Sequence, residues 1–300
     1  MYSMKYKKIS IITTCYNHEN FIEETINSVI SQKYPNLEYI VINDASTDGS
    51  HKIISKYEKY ISKYINLKEF QPSPVFALNH GFNLSTGDIL GWISSDDILL
   101  ERSLFTLNDI FLQLPEVDWL TGVSTTLNKE SLIVKSVLRP ITKFDFLSGN
   151  WQIIQQESTF FSKSLWNKIG GKFDVNCLQA FDTKLWVDFF EYAIHYHVNA
   201  PLGAFRKGEQ SRSSRNFKEF LSYNNLIIGK MLKNSKTKEK FIAGFYKYFG
   251  KTKLKYLMRL LPNLFLDIGI LKHLKDHNIN YDFNKKKWEI QIKSSFKRVF

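Results

Sequence analysis

The chain reads Asp88-Ile89-Leu90-Gly91-Trp92-Ile93-Ser94-Ser95-Asp96-Asp97, an apolar run that ends in two adjacent aspartates. A run this short and this apolar predicts a buried strand. Two like charges at the end of a buried strand are costly unless something cationic meets them, and ligands bind at the carboxyl ends of the strands of a parallel sheet. The same two residues could instead open a turn or cap a helix. The local pattern leaves both interpretations open.

Strand-like and helix-like segments alternate around this run. Apolar and β-branched stretches predict strands at residues 9–15, 37–42, 65–70 and 88–93, with further strands within 117–138 and 195–205. Helical spacing predicts helices from residue 22, opened by a capping box at residues 20–23, and over 50–64, 75–84, 101–114, 164–169 and 182–193. Alternating strands and helices form βαβ units, so we expect a parallel sheet covered by helices on both faces.

The composition is that of a folded chain from a reducing compartment. With 300 residues, 43% of them hydrophobic and 15% aromatic, the chain can bury a sizeable core. Its two cysteines, Cys15 and Cys177, lack metal-type spacing, which favours the cytoplasm over a disulfide framework. The polar, basic start predicts no signal peptide. The apolar stretch 257–271 is broken by polar and charged residues and a proline, so no transmembrane helix is expected.

The net charge of +12 is concentrated in the last third of the chain. Residues 207–300 hold 22 of the 41 lysines and arginines but only 7 of the 29 acidic residues. They follow a helical, lysine-rich pattern in which aromatic and aliphatic residues interleave with basic ones, typical of a helix at a membrane surface. Such a block seeks an acidic partner, either an anionic membrane face or a nucleic acid. A helical subdomain with a solvated basic face would have the same composition.

Five separated motifs occur in the order found in one family. They lie at residues 10–17 (SIITTCYN), 41–50 (VINDASTDGS), 77–97 (ALNHG, TGD and SDD), 156–161 (QESTFF) and 180–186 (AFDTKLW). Over residues 8–212 the chain resembles the family 2 glycosyltransferases, which are inverting enzymes with a GT-A type nucleotide-sugar-binding fold. The resemblance implies an α/β fold of the GT-A type (Rossmann-like), with a mostly parallel sheet sandwiched by helices. We therefore predict a catalytic domain at 1–212 and a basic helical C-terminal region at 213–300.

The resemblance assigns donor-binding roles to Thr14, Tyr16, Asp44, Asn79 and Asp96. Tyr16 is expected to stack on the base, with Thr14 as a hydrogen-bond partner, and Asp44 to accept the imide N–H of uracil. From the residues alone, purely structural roles are also open: Tyr16 could be a turn tyrosine, and Asp44 could form an Asx-type turn. We assign Asp48 to helix capping.

For the paired aspartates, the resemblance favours a metal site. Side chains of adjacent residues on an extended backbone point in different directions. One of them should therefore face the metal and the other the sugar or ribose. The resemblance implies that Asp97 binds Mn²⁺ or Mg²⁺ and that Asp96 contacts the sugar while assisting the metal. Hard divalent cations suit oxygen ligands and substrate phosphates.

On the acceptor side, Asp182 is expected to be the general base, although a helix N-cap would also explain it. Gln156, Glu157 and Trp186 are assigned to the acceptor, and Trp186 also fits the core. A flexible donor-closing segment is expected around Arg206, Gln210, Ser211 and Arg212. Two departures from the family pattern stand out. Asn43 occupies a position that is commonly acidic, and Phe181 replaces the acid that often precedes the aspartate.

The leading hypothesis is a metal-dependent inverting glycosyltransferase that moves a sugar, UDP-linked in our expectation, to a hydroxyl of a glycan or lipid-linked acceptor in cell-surface polysaccharide synthesis. We expect it in the cytoplasm, with an anionic membrane surface bound through residues 213–300 and without a nucleic acid partner. A nucleotidyltransferase would need a glycine-rich loop after the first strand, and residues 13–17 contain no glycine. A non-catalytic basic protein that binds RNA or membranes is the remaining alternative.

Overall fold

The computed structural model describes residues 5–149, 154–208, 217–237, 239–245, 247–248 and 275–294. The helices in these ranges are α1 (Ile22–Ile30), α2 (Ser50–Ser55), α3 (Pro74–Leu84), α4 (Ser103–Gln113), α5 (Lys143–Leu147), α6 (Lys163–Lys168), α7 (Phe181–Tyr192) and α8 (Phe217–Asn234). The strands are β1 (Ile9–Cys15), β2 (Leu37–Asn43), β3 (Lys63–Asn66), β4 (Ile89–Trp92), β5 (Ile98–Leu99), β6 (Trp119–Thr121), β7 (Ser124–Leu127), β8 (Ile133–Val137), β9 (Thr159–Ser162), β10 (Tyr196–Val198), β11 (Gly203–Arg206), β12 (Lys275–Asp282) and β13 (Lys287–Ser294).

The main sheet has nine strands in the order β13-β12-β10-β6-β9-β4-β1-β2-β3. The pairs of β1 with β2 and β4, of β2 with β3, and of β10 with β6 and β12 are parallel, whereas β9 runs antiparallel to β4 and β6. The predicted mostly parallel α/β fold of the GT-A type is confirmed.

The sheet separates two apolar layers because its central strands are buried on both faces. Along β1, Ile11 packs into one layer and Ile12 into the other. The second of these layers is unusually aromatic. It contains a continuous stack in which Trp186 lies between Trp92 and Trp119, at centroid distances of 5.8 and 5.6 Å.

A smaller sheet, ordered β5-β11-β7-β8, lies next to the strand β4 that precedes the aspartate pair. β5 begins directly after Asp97 and pairs antiparallel with β11, while β11 pairs parallel with β7. The chain therefore passes from the main sheet to the small sheet at the two aspartates. Residues that hold the aspartates can come from either sheet.

Two local predictions are wrong. Residues 20–23 form no capping box: the N-cap of α1 is Phe21, it makes no side-chain cap bond, and the first N–H groups donate to the carbonyl of His18. The helix predicted over 50–64 ends at Ser55, and Lys63–Asn66 is a strand. Pairing of β3 with β2 outweighs the helical spacing of the tyrosines in this stretch.

The C-terminal region is not helical throughout, which corrects the predicted helical extension. α8 is a helix, but β12 and β13 form an antiparallel hairpin that joins the main sheet through β10. The amphipathic stretch predicted at 245–261 lies largely outside the described residues, and the division at residue 212 stays a prediction. Among the helices of the described ranges, none combines the length and apolar character needed to cross a membrane.

Candidate active site

The predicted site residues meet at one edge of the main sheet. Tyr16 follows β1, Asp44 follows β2, and the pair Asp96–Asp97 follows β4, so the carboxyl ends of three parallel strands converge. Glu157 precedes β9, which is antiparallel to β4, and therefore lies at the same edge. This is the edge at which ligands bind in parallel sheets.

The loop with the two aspartates is held by polar contacts from the first helical unit. The N–H of Asp97 donates to the carbonyl of Ser94, closing a turn. The Thr25 hydroxyl of α1 lies 2.9 Å from the carbonyl of Ser95 and 2.8 Å from that of Asp97. His18 Nδ1 is 2.7 Å from the hydroxyl of Ser95. His18 was not among the predicted site residues, because nothing in its local sequence indicates a contact 77 residues away.

Arg206 at the end of β11 is a second support of the aspartate pair. Its backbone N–H donates to Asp97 Oδ1 at 2.8 Å, and its Nε donates to the carbonyl of Asp96 at 2.8 Å. Its Nη2 forms an ion pair with Glu24 Oε2 at 2.6 Å. The side chain is 3% exposed, so Arg206 is a buried structural arginine. The rest of the expected donor-closing segment, at 210–212, lies outside the described residues.

Four carboxylates share this neighbourhood. Burial raises the pKa of Asp97 well above its usual range, and the nearby charges of Asp96 and Glu157 raise it further. Burial likewise raises the pKa of Glu157 to about 8, with smaller contributions from Asp96 and Asp182. Among the described residues, Glu157 Oε1 has no hydrogen-bond partner. The site therefore concentrates negative charge that the described protein groups only partly compensate.

Glu157 is fixed in place by a close backbone approach of β11. The Ser158 hydroxyl donates to the carbonyl of Gly203 at 2.9 Å and lies 3.1 Å from its amide nitrogen. A Cβ at position 203 would collide with the carbonyl of Glu157. Glycine is needed here because the two backbones touch.

At the other end of the site, two aromatic rings stack. The ring of Tyr16 lies 4.1 Å from that of Phe70, and both side chains are largely exposed. The next residue, Gln71, donates its N–H to Asp44 Oδ1 at 3.1 Å. Burial raises the pKa of Asp44, against the lowering effect of this bond. Sequence reasoning missed Phe70, which lies on the loop after β3 with no motif of its own.

Three further predicted residues have other surroundings. The side chain of Asn79 exchanges two hydrogen bonds with the backbone of Phe173, at 3.1 and 2.7 Å, and its donor role stays a prediction. Trp186 is fully buried in the aromatic stack, which fits its core assignment, and its acceptor role stays a prediction. Thr14 lies near the carboxyl end of β1, where it is opposite Ile42 of β2. Cys15 separates it from Tyr16, which lies at the site edge.

The acceptor-side residues lie next to the aspartates. Gln156 Nε2 donates to the carbonyl of Trp92 at 2.5 Å, and its Oε1 accepts from Ser94 at 3.3 Å. Asp182 is not the N-cap of α7, because Ala180 occupies that position. Asp182 lies in the first helical turn, half-buried, within electrostatic reach of Glu157. Asp48, by contrast, accepts the N–H of Ser50 at the start of α2, as expected of a capping residue.

The donor set suits a cation that brings other ligands with it. Within the described ranges, no group of three or more His, Cys, Asp or Glu residues could hold a metal ion alone. Asp97 and Asp96 offer two carboxylates, and Asp97 Oδ1 is already engaged by Arg206. Mg²⁺ and Mn²⁺ commonly bind one or two carboxylates and complete their shell with phosphates and water. The residues present fit a metal bound together with a diphosphate.

Sequence comparison agrees with the resemblance. The sequence profile described as Glycosyl transferase family 2 matches residues 10–124. The chain is 27% identical over 201 residues to the poly-beta-1,6-N-acetyl-D-glucosamine synthase of Staphylococcus epidermidis, covering 64% of this chain and 48% of that protein. It is 37% identical over 99 residues to the putative glycosyltransferase EpsE of Bacillus subtilis, covering 32% and 36%. The chain thus spans about half or less of the length of these relatives.

Solved structures share the fold across most of the chain. S. aureus TarS 1–349 in complex with UDP-GlcNAc aligns with a TM-score of 0.60 at 18% identity, covering 89% of this chain and 81% of that one. The mannosyltransferase PcManGT from Pyrobaculum calidifontis, in complex with GDP-Man and Mn²⁺, aligns with a TM-score of 0.52 at 16% identity, covering 90% and 88%.

Proposed function

Because residues 10–124 match the profile described as Glycosyl transferase family 2, we propose that this chain is a metal-assisted inverting glycosyltransferase that takes its sugar from a nucleotide-sugar, with UDP as the favoured nucleotide. The acceptor is a hydroxyl of a growing or lipid-linked glycan in polysaccharide synthesis. A relative named as a poly-N-acetylglucosamine synthase and a structural neighbour crystallised with UDP-GlcNAc support an N-acetylhexosaminyl or hexosyl donor.

In this proposal the base of the donor binds at Tyr16 and Asp44. Aromatic stacking on a nucleobase contributes about 1–3 kcal/mol, and the Tyr16 ring is exposed at the sheet edge. The carboxylate of Asp44 accepts the imide N–H of uracil. Phe70 covers one face of Tyr16, so the base either uses the other face or displaces Phe70.

The diphosphate end of the donor lies at Asp97 and Asp96. Asp97 holds Mn²⁺ or Mg²⁺ with help from Asp96, and the cation supplies Lewis-acid stabilisation of the charge on the departing diphosphate. Arg206 and Thr25 keep the two aspartates in place through the bonds to their backbone and to Asp97 Oδ1. Fixed ligands of this kind need no reorganisation during reaction.

Asp182 acts as the general base in the proposed reaction. Its carboxylate takes the proton of the acceptor hydroxyl while the oxygen attacks the anomeric carbon opposite the diphosphate, so the configuration inverts. Asp182 is half-buried in the first turn of α7, where its Oδ1 accepts the N–H of Thr183 at 2.7 Å. Gln156 and Glu157 line the acceptor side. The chain acts in the cytoplasm, at the inner face of the membrane that holds the acceptor.

The single observation that carries this proposal is the meeting of Asp96, Asp97, Glu157 and Asp182 at the carboxyl edge of a family 2 sheet. A purely structural role would be expected to pair each of these carboxylates with a cationic side chain, and Arg206 is the cation that the structure places beside Asp97. Substrate and cation chemistry explains why this many acids are kept together.

The test is donor binding followed by thermal unfolding. We expect UDP at about a hundred times its dissociation constant, with Mn²⁺, to raise the melting temperature by about 6 °C, since such binding adds about 2.7 kcal/mol. Asp97→Ala should abolish the cation-dependent part of this shift, and Asp109→Ala, at an exposed aspartate of α4, should retain it. A full shift in Asp97→Ala would refute the metal assignment. An equal shift with GDP would refute the preference for uracil.

A further inference from the structure

The hairpin formed by β7 and β8 exposes an apolar surface. Leu132, Ile133, Val134 and Leu138 are 63%, 58%, 58% and 40% exposed. Ile133 and Val134 lie in the edge strand β8, and Leu132 and Leu138 flank it. Neighbouring side chains of a strand point to opposite faces, so both faces of the hairpin expose apolar groups. Single exposed apolar residues are ordinary on protein surfaces, but several on one hairpin are typical of surfaces that bind a partner or a membrane.

Basic residues flank this apolar surface. Lys129, Lys135 and Arg139 are exposed beside it, against one exposed acid, Glu130. A mixture of apolar tips and surrounding lysine and arginine is typical of elements that enter the interface of an anionic bilayer. The surface is therefore complementary to lipid headgroups in charge and to acyl chains in polarity.

A second copy of the chain is a poor occupant of the same surface. Two copies would bring like charges together, in a chain whose net charge is +12. β8 also carries Lys135 in its middle, and its pairing with β7 has a register shift at Thr126 and Leu127. Lysines and bulges on edge strands oppose strand-to-strand association.

The turn of the hairpin is connected to the aspartate pair through one side chain. Arg206 Nη1 donates to the carbonyl of Asn128 at 3.3 Å and to the hydroxyl of Ser131 at 2.9 Å, and both residues belong to the turn. The same arginine donates to the carbonyl of Asp96 and, through its backbone, to Asp97. A surface bound at the hairpin is thus held at a fixed distance from the site.

We propose that the β7–β8 hairpin inserts Leu132, Ile133 and Val134 into the headgroup region of an anionic bilayer, while Lys129, Lys135 and Arg139 bind the lipid headgroups. The aspartate site then faces an acceptor anchored in the same bilayer. Only this last step rests on the proposed function. The location differs from the basic residues 213–300 assigned to the membrane from the sequence.

The experiment is flotation of the full chain with vesicles of phosphatidylcholine and phosphatidylserine in about a 7:3 ratio, without donor. Replacing Leu132, Ile133 and Val134 by serine should lower the partition coefficient at least about tenfold, because the apolar area available for burial is lost. The variant Lys129→Gln, Lys135→Gln, Arg139→Gln should lose binding by a similar factor. Vesicles of phosphatidylcholine alone should bind the wild type weakly.

The matched control removes three scattered exposed residues, Tyr60→Ser, Leu112→Ser and Tyr192→Ser, and should bind like the wild type. A partition coefficient within about twofold of wild type in the serine hairpin variant would overturn the proposal. So would light scattering that shows a wild-type dimer and a monomeric hairpin variant, because a second copy would then cover β8. The Mn²⁺-dependent UDP shift should persist in the hairpin variants. Its absence from the wild type would refute the proposed function and leave the flotation result valid.

Discussion

The two edges of the main sheet hold buried carboxylates in opposite circumstances. At the amino-terminal edge, Glu38 accepts hydrogen bonds from Ser10 Oγ at 2.6 Å and from Thr86 N and Oγ1 at 2.6 and 2.8 Å, with Lys8 Nζ 3.1 Å away. Burial alone would raise the pKa of Glu38, but these bonds outweigh it and lower the pKa to about 2. At the carboxyl edge, burial raises the pKa of Glu157 to about 8.

This difference separates a structural acid from acids that await a ligand. Contacts with Ser10, Thr86 and Lys8 stabilise the charge on Glu38, so its carboxylate needs no ligand. Glu157 and Asp97 are equally buried, yet the effect of burial and of the neighbouring carboxylates outweighs the one cation named beside Asp97, Arg206. Burying several acids with few cationic partners lowers the free energy of unfolding. Acids whose pKa is perturbed in this way are typical of binding sites.

The largest expected effect concerns Asp182. Asp182→Asn should lower the rate of sugar transfer about a thousandfold, because general base catalysis contributes about 10²–10⁴-fold, while the Mn²⁺-dependent UDP shift is retained. Transfer is measured as UDP release with cell membranes as the source of acceptor. The matched Asp109→Asn variant should transfer normally. Normal turnover of Asp182→Asn would place the base elsewhere.

Removing the structural acid should affect stability and spare donor binding. Glu38→Gln is expected to lower the free energy of unfolding by about 3 kcal/mol at pH 7, since a pKa lowered from 4.5 to about 2 stabilises the folded state by this order. Because the folded pKa is the lower one, this stabilisation is present above about pH 4.5 and is lost as the pH falls towards 2. Urea unfolding at several pH values measures it, and a variant as stable as wild type at pH 7 contradicts the assignment.

Removing a buried acid of the candidate site should instead raise the free energy of unfolding. In protein kept free of metal, Glu157→Gln is expected to raise the free energy of unfolding by about 2 kcal/mol at pH 8 and by little at pH 4. The folded pKa of about 8 exceeds the usual 4.5, so the wild type is stable below pH 4.5 and loses stability as the pH rises towards 8. A destabilised Glu157→Gln at pH 8 would show that the carboxylate has a structural partner.

The smallest effect is expected for a cationic partner of Glu38. Lys8 is 38% exposed in its ion pair, and exposed ion pairs contribute about 0.2–1 kcal/mol. Lys8→Met should therefore lower the melting temperature by only about 1 °C, given about 2 °C per kcal/mol in a chain of this size. A loss as large as that of Glu38→Gln would mean that Lys8, and not the hydroxyls and amide, stabilises the acid.

The parts of the fold predicted correctly are those with strong local signals. β1, β2 and β4 are buried on both faces, so their sequences are rich in apolar and β-branched residues, a pattern typical of central parallel strands. Their polar ends, Tyr16, Asp44 and Asp96, follow from the same runs, and the parallel sheet brings them together. This is why the candidate site could be located from the sequence.

The parts that failed depend on distant contacts. β12 and β13 contain lysines and asparagines with low strand propensity, and pairing with β10 decides their conformation. The hydrogen bonds of the Asn79 side chain likewise depend on a distant residue, because Phe173, 94 residues away, contacts both its polar atoms. Arg206 and Phe70 likewise act through neighbours far along the chain. Nothing local in the sequence indicates such partners.

The β12–β13 hairpin has a consequence for how the protein is made. β10 pairs with β6 on one side, where Tyr196 lies opposite Leu120, and with β12 on the other, where Tyr196 lies opposite His277. During synthesis the edge of β10 therefore stays open until the last strands leave the ribosome. An unpaired sheet edge is a template for wrong pairing, and closing so distant a contact is slow. Nascent chains of this protein should need chaperones longest at this strand, well after the aspartate site has formed.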